Sequence, residues 1–519
     1  MSKIDNQKIK QVSKNFLFSR TAVVIVLLAF QMFIFWQIFI HVGGNIFWTP
    51  VTYIFYAASA VLVVYMFNRN VNPSFRMTWM LILLLVPVFG AFFYIFVQTN
   101  VGARKLYKRV CRVLEETKDF LPMNQEMLEH LQKEEPDLAR LARYLSNSGG
   151  FTIQQNNEVK YLPVGEDFFA HLKDQLAQAQ KFIFMEYFLI DQGYMWSSLL
   201  EILEKKVQEG VEVRLIFDGL GCTFLPHDYD KQLREKGIKA RVFNKVRPFL
   251  STQYNNRDHR KITIIDGKTA FTGGINLADE YINRVKRFGH WKDNAVMISG
   301  SAVANFTLLF LRMWSIAGDE KEDYRRYLDS PTEKFADPGQ VLVYGDNPMD
   351  HNPVGESVYL DIIYKAQKYV YMTTPYLVIG NELILAMSTA AKSGIDVRLV
   401  VPHIPDKKWL FWVTQSFYPV LLEAGVKIYE YTPGFIHAKT FVSDDQKAVV
   451  GSINLDFRSL YLHFECAAYL HKVPAVKEVI TDIKEIMAKS QPVTMDDYKR
   501  SNPFSRLLGK ILRIFSPLM

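Results

Sequence analysis

The chain has few cysteines, and their number and spacing argue against both disulfide bonds and a cysteine-ligated metal. Of the 519 residues only three are cysteines, namely Cys111, Cys222 and Cys466. The odd count argues against a disulfide framework, and the three share no metal-ligand spacing. No cluster of histidine, cysteine and aspartate has ligand spacing either, so the sequence predicts no bound metal. A reducing, cytoplasmic setting for the catalytic part is the simpler interpretation.

Acidic charge is scarcer than basic charge. The chain has 53 acidic residues against 61 lysines and arginines, which gives a formal net charge of +8. A basic balance favours an anionic partner, which can be nucleic acid, anionic lipid or a phosphorylated substrate. The same balance is also found in membrane proteins that keep cations on the inner side, so charge does not choose among these classes.

Charged residues are missing from long stretches of the first hundred residues. Thr21–Ile40 contains none in twenty residues, which is the length that crosses a bilayer as a helix. Pro50–Phe67 and Met77–Val97 are further apolar runs, and a proline and a glycine interrupt the last. Three successive runs favour retained helices over a cleaved signal peptide. Residues 1–100 are therefore expected to form a membrane anchor of two spans plus a third spanning or re-entrant segment.

Lysine and arginine in the flanks of these runs indicate the orientation. Five of them precede the first run, whereas the loop His41–Thr49 has none, so the N-terminus should face the cytoplasm. The cations of Arg104–Arg112, after the third run, also favour the inner side. A re-entrant third run would keep everything downstream inside, and a spanning one would place it outside. We expect a multi-pass protein with a cytoplasmic catalytic part.

One short motif, H-x-K-x-x-x-x-D, occurs twice. The copies are offset by 178 residues (437 − 259), and an asparagine follows each aspartate ten residues later at the same offset. The matched positions are His259, Lys261, Asp266 and Asn276 in the first copy and His437, Lys439, Asp444 and Asn454 in the second. Two copies in register indicate a duplication, and together they supply both a nucleophile and an acid.

The duplication extends beyond the motif. Ala179–Met185 recurs as Ala366–Met372, and in each half a helical stretch and a second apolar run follow. Strand, helix and strand in this order predict a parallel βαβ unit with a right-handed crossover. Each motif comes later, with its histidine and lysine at the start of a strand. The sequence thus predicts two related α/β domains, at residues 151–327 and 353–503, joined by a linker at 328–352.

Two further segments flank these domains. Residues 101–150 are expected to be a helical connector. Residues 504–519 form a basic tail in which cations and apolar residues alternate at roughly helical spacing. This pattern suits an amphipathic helix on an anionic membrane surface, and it equally suits an ordinary packed terminal helix.

Two histidines and two lysines facing one pocket suit phosphodiester chemistry without a metal. Histidine serves as a nucleophile, acid or base near neutral pH, since its free pKa is about 6.5. Charged lysine holds a phosphate and neutralises charge in the transition state. One histidine would attack phosphorus while the other protonates the leaving alcohol. The nucleophilic imidazole needs its other nitrogen held, and Asp293 and Glu465, each flanked by aromatic residues, are the candidates for that orienting role.

The doubled motif, with Gly-Gly-Ile before Asn276 and Gly-Ser-Ile before Asn454, resembles the phospholipase D superfamily. Within it, Asn255–Asp258, Tyr431–Phe435 and Leu455–Ser459 are similar to bacterial cardiolipin synthases. The resemblance implies an α/β fold of two pseudo-symmetric phospholipase D-type α/β/α domains with mixed sheets, preceded by N-terminal transmembrane helices. It also implies one pocket between the halves, formed by the eight matched residues.

In function, the resemblance implies transfer of a phosphatidyl group from one phosphatidylglycerol to another, giving cardiolipin and glycerol. It implies no cofactor and a place in the bacterial cell membrane, with phosphatidylglycerol and anionic lipids as partners and no nucleic acid. Asn276 and Asn454 would bind the phosphate, while Asp266 and Asp444 would support the catalytic site. The choice of nucleophile stays open, although superfamily analogy favours His259. A phospholipase D hydrolase, a transferase with another alcohol acceptor and a non-catalytic membrane scaffold are the alternatives.

Overall fold

The computed structural model describes residues 48–69, 71–86, 90–91, 93–95, 101–245, 255–318, 322–328, 335, 338–350 and 352–518. The chain forms two compact units. The first contains the described residues up to Leu106 together with residues 517–518. The second contains Tyr107–Lys245 and Asn255–Ser516, and it carries both copies of the motif.

The first unit contains helices α1 (Trp48–Phe67) and α2 (Pro73–Leu85). The side chain of Asn72 caps α2 by accepting the N–H of Ser74 at 2.9 Å. Pro73 occupies the first helical position, where its missing N–H leaves no hydrogen bond unmade. The helices enclose a small cluster of buried side chains, namely Met66, Trp79, Leu83, Ala91 and Tyr94.

The predicted membrane anchor lies only partly within the described residues. Its first span, Thr21–Ile40, lies outside them. The second apolar run corresponds to α1, and the third begins at Pro73, four residues earlier than predicted, because Asn72 and Pro73 start the helix. Among the residues described here, no helix combines the length and the apolar character needed to cross a membrane. This finding does not support the predicted transmembrane helices.

Three helices occupy the segment between the apolar runs and the first sheet: α3 (Val101–Thr117), α4 (Gln125–Glu134) and α5 (Pro136–Gly149). Asn124 starts α4, since its side chain accepts the N–H of Met127 at 3.0 Å. Gly150 ends α5 in the left-handed conformation, with φ of 69°, which glycine adopts without a steric penalty.

A seven-stranded mixed sheet forms the centre of the first half, in the order β2-β10-β8-β7-β3-β4-β5. Its strands β3, β4 and β5 are parallel, and the remaining pairs are antiparallel. The predicted βαβ unit is confirmed as β3–α7–β4. The bounds in this half are β1 Ile153–Gln154, β2 Asn157–Leu162, α6 Gly165–Gln178, β3 Phe182–Tyr187, α7 Tyr194–Gln208, β4 Glu212–Asp218, α8 Tyr229–Glu235, β5 Lys239–Phe243, β6 Arg257–Asp258, β7 Lys261–Ile265, β8 Thr269–Gly273, β9 His290–Lys292, β10 Ala295–Gly300 and α9 Val303–Ala317.

A ten-stranded mixed sheet forms the centre of the second half, in the order β1-β11-β20-β18-β17-β12-β14-β15-β21, with β6 beside β20. The parallel pair β12–β14 confirms the second βαβ unit. The bounds are β11 Gln340–Asp346, α10 Val354–Lys365, β12 Tyr369–Thr373, β13 Leu377–Val378, α11 Asn381–Lys392, β14 Asp396–Pro402, α12 Lys408–Gln415, α13 Tyr418–Glu423, β15 Lys427–Tyr431, β16 Gly434–Ile436, β17 Thr440–Ser443, β18 Lys447–Gly451, β19 Leu455–Asp456, α14 Phe457–Tyr461, β20 His463–His471, α15 Ala475–Ala488, β21 Ser490–Val493, α16 Met495–Arg500 and α17 Pro503–Ile514.

The predicted linker at 328–352 contains a central strand. Proline, aspartate and glycine around it favour loops, but Val341–Tyr344 is a buried apolar run, and β11 pairs with β20 along its whole length. On its other side β11 pairs with β1, which belongs to the predicted first domain. Strands β1 and β6 of the first half therefore belong to the second sheet, and the boundaries predicted from the sequence are not boundaries of the sheets.

Helix α9 packs between the two halves. Every residue from Val303 to Ile316 is buried, and the helix is apolar on nearly all sides. It contacts β3, β7 and β8 of the first sheet and β11 of the second. The N–H groups of the buried Arg312 are satisfied by the hydroxyl of Thr117 at 2.8 Å and the carbonyl of Gly149 at 2.7 Å. Helix α9 thus joins the first motif strand, β7, to strand β11 of the second sheet.

Candidate active site

The first motif histidine lies against the second half of the unit. Strand β6, just before His259, pairs in parallel with the start of β20, so that Arg257 lies opposite His463. The next backbone N–H, that of His259, donates to the carbonyl of Phe464 at 2.9 Å. His259 is therefore held by a strand that lies about two hundred residues further along the chain.

The second motif histidine lies against the first half in the same way. Strand β16, just before His437, pairs in parallel with β9, so that Gly434 lies opposite His290. The N–H of His437 donates to the carbonyl of Lys292 at 2.7 Å. The two short parallel ladders are equivalent, and they bring both histidines to the boundary between the halves.

Each histidine receives its carboxylate from the opposite half. His259 Nδ1 lies 2.8 Å and 3.0 Å from the two carboxylate oxygens of Glu465. His437 Nδ1 lies 2.6 Å from Oδ2 of Asp293. With Nδ1–H donated to a carboxylate, the lone pair of each imidazole is on Nε2. The two carboxylates singled out in the sequence thus contact the histidines, but the pairs cross between the halves.

Burial and neighbouring cations keep both histidines neutral. Burial, followed by the charges of Lys261 and Lys439, holds the pKa of His259 well below its ordinary value. Burial and Lys439 lower the pKa of His437 to about 4, although Asp293 acts in the opposite direction. Because the motif residues of one half shift the pKa of those of the other, the four side chains form one electrostatic cluster.

The two motif lysines are buried cations. Lys261 Nζ donates to the carbonyl of His259 at 2.5 Å, and Lys439 Nζ donates to the carbonyl of His437. Burial lowers the pKa of Lys261 to about 8 and that of Lys439 to about 7, while Asp293 and Glu465 oppose the change. A bound anion would favour the charged form of both lysines, and this makes the cluster suited to a phosphate group.

The two orienting carboxylates are supported differently. Glu465 accepts hydrogen bonds from the hydroxyls of Ser452 and Ser459, each at 2.5 Å. Asp293 Oδ1 accepts the N–H of Asn294 at 2.9 Å. Gly274, the counterpart of Ser452, leaves room for Asp293, since a Cβ atom there would overlap the carboxylate. The sequence does not single out these serines as site residues, although the change from Gly-Gly in the first copy to Gly-Ser in the second marks Ser452.

The two motif asparagines are buried, and the side chain of Asn276 is hydrogen-bonded within the protein, whereas Oδ1 of Asn454 has no hydrogen-bond partner among the described residues. Asn276 Oδ1 accepts the N–H of Leu189 at 3.2 Å, and its Nδ2 donates to the hydroxyl of Tyr281 at 2.7 Å. The backbone N–H of Asn454 donates to Ser459 Oγ at 2.8 Å. These contacts fix the turns that follow β8 and β18, and the phosphate-binding role of Asn276 and Asn454 stays a prediction.

The structure does not bring the two motif aspartates into the cluster. Asp266 follows β7, whose five residues separate it from the start of the strand by about 16 Å at about 3.3 Å per residue. Its carboxylate accepts the N–H groups of Gln180, Lys181 and Phe182 at 2.6–2.9 Å. Asp266 therefore closes a turn at the far edge of the sheet and takes no direct part in the site.

Asp444 repeats this arrangement in the second half. It accepts the N–H groups of Gln367, Lys368 and Tyr369 at 2.8–3.1 Å. Partial burial raises the pKa of Asp444, but these three donors outweigh it and leave the pKa lowered. Both aspartates adopt a left-handed backbone conformation, with φ of 54° for Asp266 and 56° for Asp444. In both motifs the strand carries the aspartate away from the histidine. The equal spacing of the two copies therefore places each aspartate in a turn at the end of its strand.

A third histidine lies beside the first pair. The ring of His463 is 5.3 Å from that of His259, and its Nδ1 is 3.5 Å from Glu465 Oε1. Ligand atoms of His259, His463 and Glu465 lie within 4.8 Å of one another, a group able to hold a metal ion. Lys261 and Lys439 make this surrounding cationic, which favours an anion over a metal. At the equivalent position in the first half Trp291 packs on His437, at 5.4 Å.

Two histidines with crossed carboxylates, and two buried lysines beside them, define the site of a phospholipase D-type enzyme. The chain belongs to the family described as "Cardiolipin synthase, PLD-like domain", whose model matches residues 172–314 and 359–487. A second model, described as "Phospholipase_D-nuclease N-terminal", matches residues 54–98. The protein is accordingly a phosphatidyltransferase of this family.

Similar proteins cover nearly the whole chain. A cardiolipin synthase of Halalkalibacterium halodurans is 32% identical over 490 residues, covering 93% of this chain and 95% of that protein. An uncharacterized protein of Streptococcus mutans is 46% identical over 458 residues, covering 88% and 99%. The crystal structure of phosphatidylserine synthase from Haemophilus influenzae matches the fold with a TM-score of 0.56 at 15% identity, covering 74% of this chain and 98% of that one.

The positions of Asp266 and Asp444 lead to a stability prediction. Replacing either by alanine removes acceptors for three N–H groups and places alanine in a left-handed conformation, so the free energy of unfolding should fall by about 1–3 kcal/mol. Activity per folded molecule should stay near that of the unchanged enzyme. Thermal unfolding and activity are measured together, with the exposed Lys268→Ala as the control. Unchanged stability with lost activity would show that the aspartates act in the chemistry.

The lysine pKa values lead to a pH prediction. Lysine is charged below its pKa and loses charge as the pH rises, so the affinity for a water-soluble phosphodiester should fall as the pH rises through 7 and 8. The loss should be about tenfold, the value of one charge-assisted contact. Calorimetric titration between pH 6 and pH 9 measures it, and Lys439→Arg, which keeps its charge, should flatten the change. An affinity that is equal at both pH values contradicts the assignment.

Proposed function

We propose that the protein is a cardiolipin synthase, which transfers a phosphatidyl group from one phosphatidylglycerol to the hydroxyl of another and releases glycerol. The crossed pairs His259–Glu465 and His437–Asp293 are the observation that supports it best. The electrostatic influence of each motif on the other supports one shared phosphate site for the two imidazoles and the two lysines. Relatives named cardiolipin synthase support the choice of substrate.

In the first step, Nε2 of one histidine attacks phosphorus while the bond from phosphorus to the glycerol oxygen breaks. The other histidine donates a proton to that oxygen. We assign the attack to His259, because Ser452 and Ser459 additionally fix its carboxylate, and the superfamily resemblance favours it. The acid, His437, needs a proton, and a bound phosphodiester anion together with Asp293 favours its charged form.

In the second step, neutral His437 removes a proton from the hydroxyl of the second phosphatidylglycerol. The new phosphorus–oxygen bond forms as the bond from phosphorus to His259 breaks. Lys261 and Lys439 neutralise charge on the phosphate oxygens in both steps, so that the proposal requires no cofactor. Because the four side chains are buried, water has little access and a lipid hydroxyl is favoured as acceptor.

We also propose that the protein acts at the bacterial cell membrane, with the catalytic unit on the cytoplasmic side. Helix α1 exposes large apolar side chains, among them Tyr53, Ile54, Val61 and Val64. An exposed apolar surface of this kind is better matched to lipid than to water. The substrate proposed for the site is itself a membrane lipid.

The mechanism predicts different behaviour for the two histidine variants. His259→Ala and His437→Ala should each lower the rate by about a thousandfold or more, since each removes a reacting group. His437→Ala retains the nucleophile, so acid-free quenching and mass spectrometry should detect a phosphatidyl group on position 259. Lys268→Ala, an exposed position outside the cluster, is the control. Full activity in either histidine variant would refute the two-histidine mechanism.

The products decide between synthase and hydrolase. The full-length protein, incubated with vesicles that contain phosphatidylglycerol, should give cardiolipin and glycerol in equal amounts. Chromatography of the extracted lipids and an assay for free glycerol measure both. Phosphatidic acid as the main product would indicate a hydrolase. A new diester formed only when another alcohol is added would indicate a transferase with a different acceptor.

A further inference from the structure

Large apolar side chains are exposed on equivalent loops of the two halves. After β4, Leu220 and Phe224 face solvent, and Phe224 is 84% exposed. After β14, the counterpart of β4, Ile404 and Trp409 are exposed, Trp409 to 42%. An exposed phenylalanine in a loop and an exposed tryptophan in the first turn of a helix gain nothing from contact with water. Their exposure at two equivalent places indicates a surface that meets another environment.

Both loops lie at the edge of the sheets that carries the motif histidines and lysines. In the first half Tyr187, at the end of β3, lies opposite Lys261 and also beside Phe217 near the end of β4. In the second half Thr373, at the end of β12, lies opposite Thr440, the residue after Lys439, and beside Val400 near the end of β14. The exposed side chains therefore flank the candidate site from each half.

Helix α17 presents an apolar face to the outside. Phe504, Leu507, Ile511 and Ile514 are all exposed, and their spacing of three, four and three residues places them on one face. The opposite face packs on the unit, where Gly509 is buried. A helix of a water-soluble surface has the reverse arrangement, with its apolar face inward.

This helix packs on α12, whose first turn contains Trp409. Gly509 lies against the carbonyl of Trp412, where a side chain would not fit, and Arg513 donates to the carbonyl of Ser416 at 3.0 Å. Both contacts advance by four residues on each helix, so the helices run in parallel and the first turn of α17 lies near Trp409. We define the apolar rim as Leu220, Phe224, Ile404, Trp409, Phe504, Leu507, Ile511 and Ile514.

Most charges on α17 and at the start of α12 are basic, although Lys407 pairs with Asp406 at 2.9 Å. From Ser501 to the last residue the chain has no acidic side chain, whereas it has Arg506, Lys510 and Arg513. Lys407 and Lys408 precede Trp409. Cations beside an apolar helix face match an anionic lipid surface, in which head groups pair with the cations and acyl chains receive the apolar side chains.

We propose that the apolar rim inserts into an anionic phospholipid bilayer and holds the mouth of the catalytic site against it. This rests on the proposed function, since only a lipid substrate has to pass from a bilayer into the site. The rim removes the aqueous gap that the acyl chains of phosphatidylglycerol would otherwise cross. It is a second membrane contact, made by the catalytic unit itself.

The test compares two substrates with the full-length protein. The variants are Leu507→Ser with Ile511→Ser, and Phe224→Ser. Both should lower the rate on phosphatidylglycerol in vesicles by about tenfold or more, because buried apolar area is lost at the bilayer. Both should leave the rate on monomeric dihexanoyl-phosphatidylglycerol within about twofold. The control is Tyr364→Ser, which replaces an exposed aromatic residue near the end of α10. This helix leads into the start of β12, at the edge of the sheet opposite the motif histidines. The control should change neither rate.

A second readout does not depend on activity. Vesicles with bromine on the acyl chains should quench the fluorescence of Trp409. The signal of Trp409 is the difference in fluorescence between the unchanged protein and Trp409→Phe. The quenching should require anionic lipid in the vesicles. Quenching without cardiolipin synthesis would uphold the rim and refute the proposed function. Three results would refute the proposed role of the rim. They are cardiolipin synthesis without quenching, an equal loss of rate on both substrates, and substitutions that change only the oligomeric mass.

Discussion

The crossed hydrogen bonds between His259 and Glu465 and between His437 and Asp293 are the contacts on which the rest of the site depends. They join residues 206 and 144 positions apart in the chain. Neither half can fix the tautomer of its own histidine, because the required carboxylate belongs to the other. This explains why the duplicated domains share strands and the helix α9, since any relative movement of the halves would separate both pairs together.

The same arrangement solves an electrostatic problem. Two lysines and two carboxylates are buried in one cluster, a combination that costs much desolvation free energy unless charges are paired. Asp293 and Glu465 offset Lys261 and Lys439, and the histidines stay neutral between them. Burial lowers the pKa of both lysines more than the two carboxylates raise it. In the proposed function, the bound phosphate anion would favour the charged form of both lysines.

Sequence reasoning predicts this protein unevenly. Repeated apolar runs such as Ala179–Met185 are long enough to reveal the βαβ units, and the doubled motif reveals both histidines. The crossing of the carboxylates could not be predicted, because it follows from β6 and β9, pieces of two and three residues that carry no periodicity. The distance of Asp266 from the histidine follows from the sequence, because five of the residues between them form a strand of known rise per residue. The strand β11 was hidden by prolines and glycines around it.

In the proposed mechanism the two motifs form one site and not two. The size of the initial burst in a rapid-quench experiment tests this most directly, with glycerol release followed from phosphatidylglycerol in large excess over active enzyme of known concentration. One covalent lipid intermediate per chain requires a burst of one glycerol per chain at saturation. A burst of two per chain would mean that each motif reacts independently, and it would contradict the crossed arrangement as the basis of catalysis.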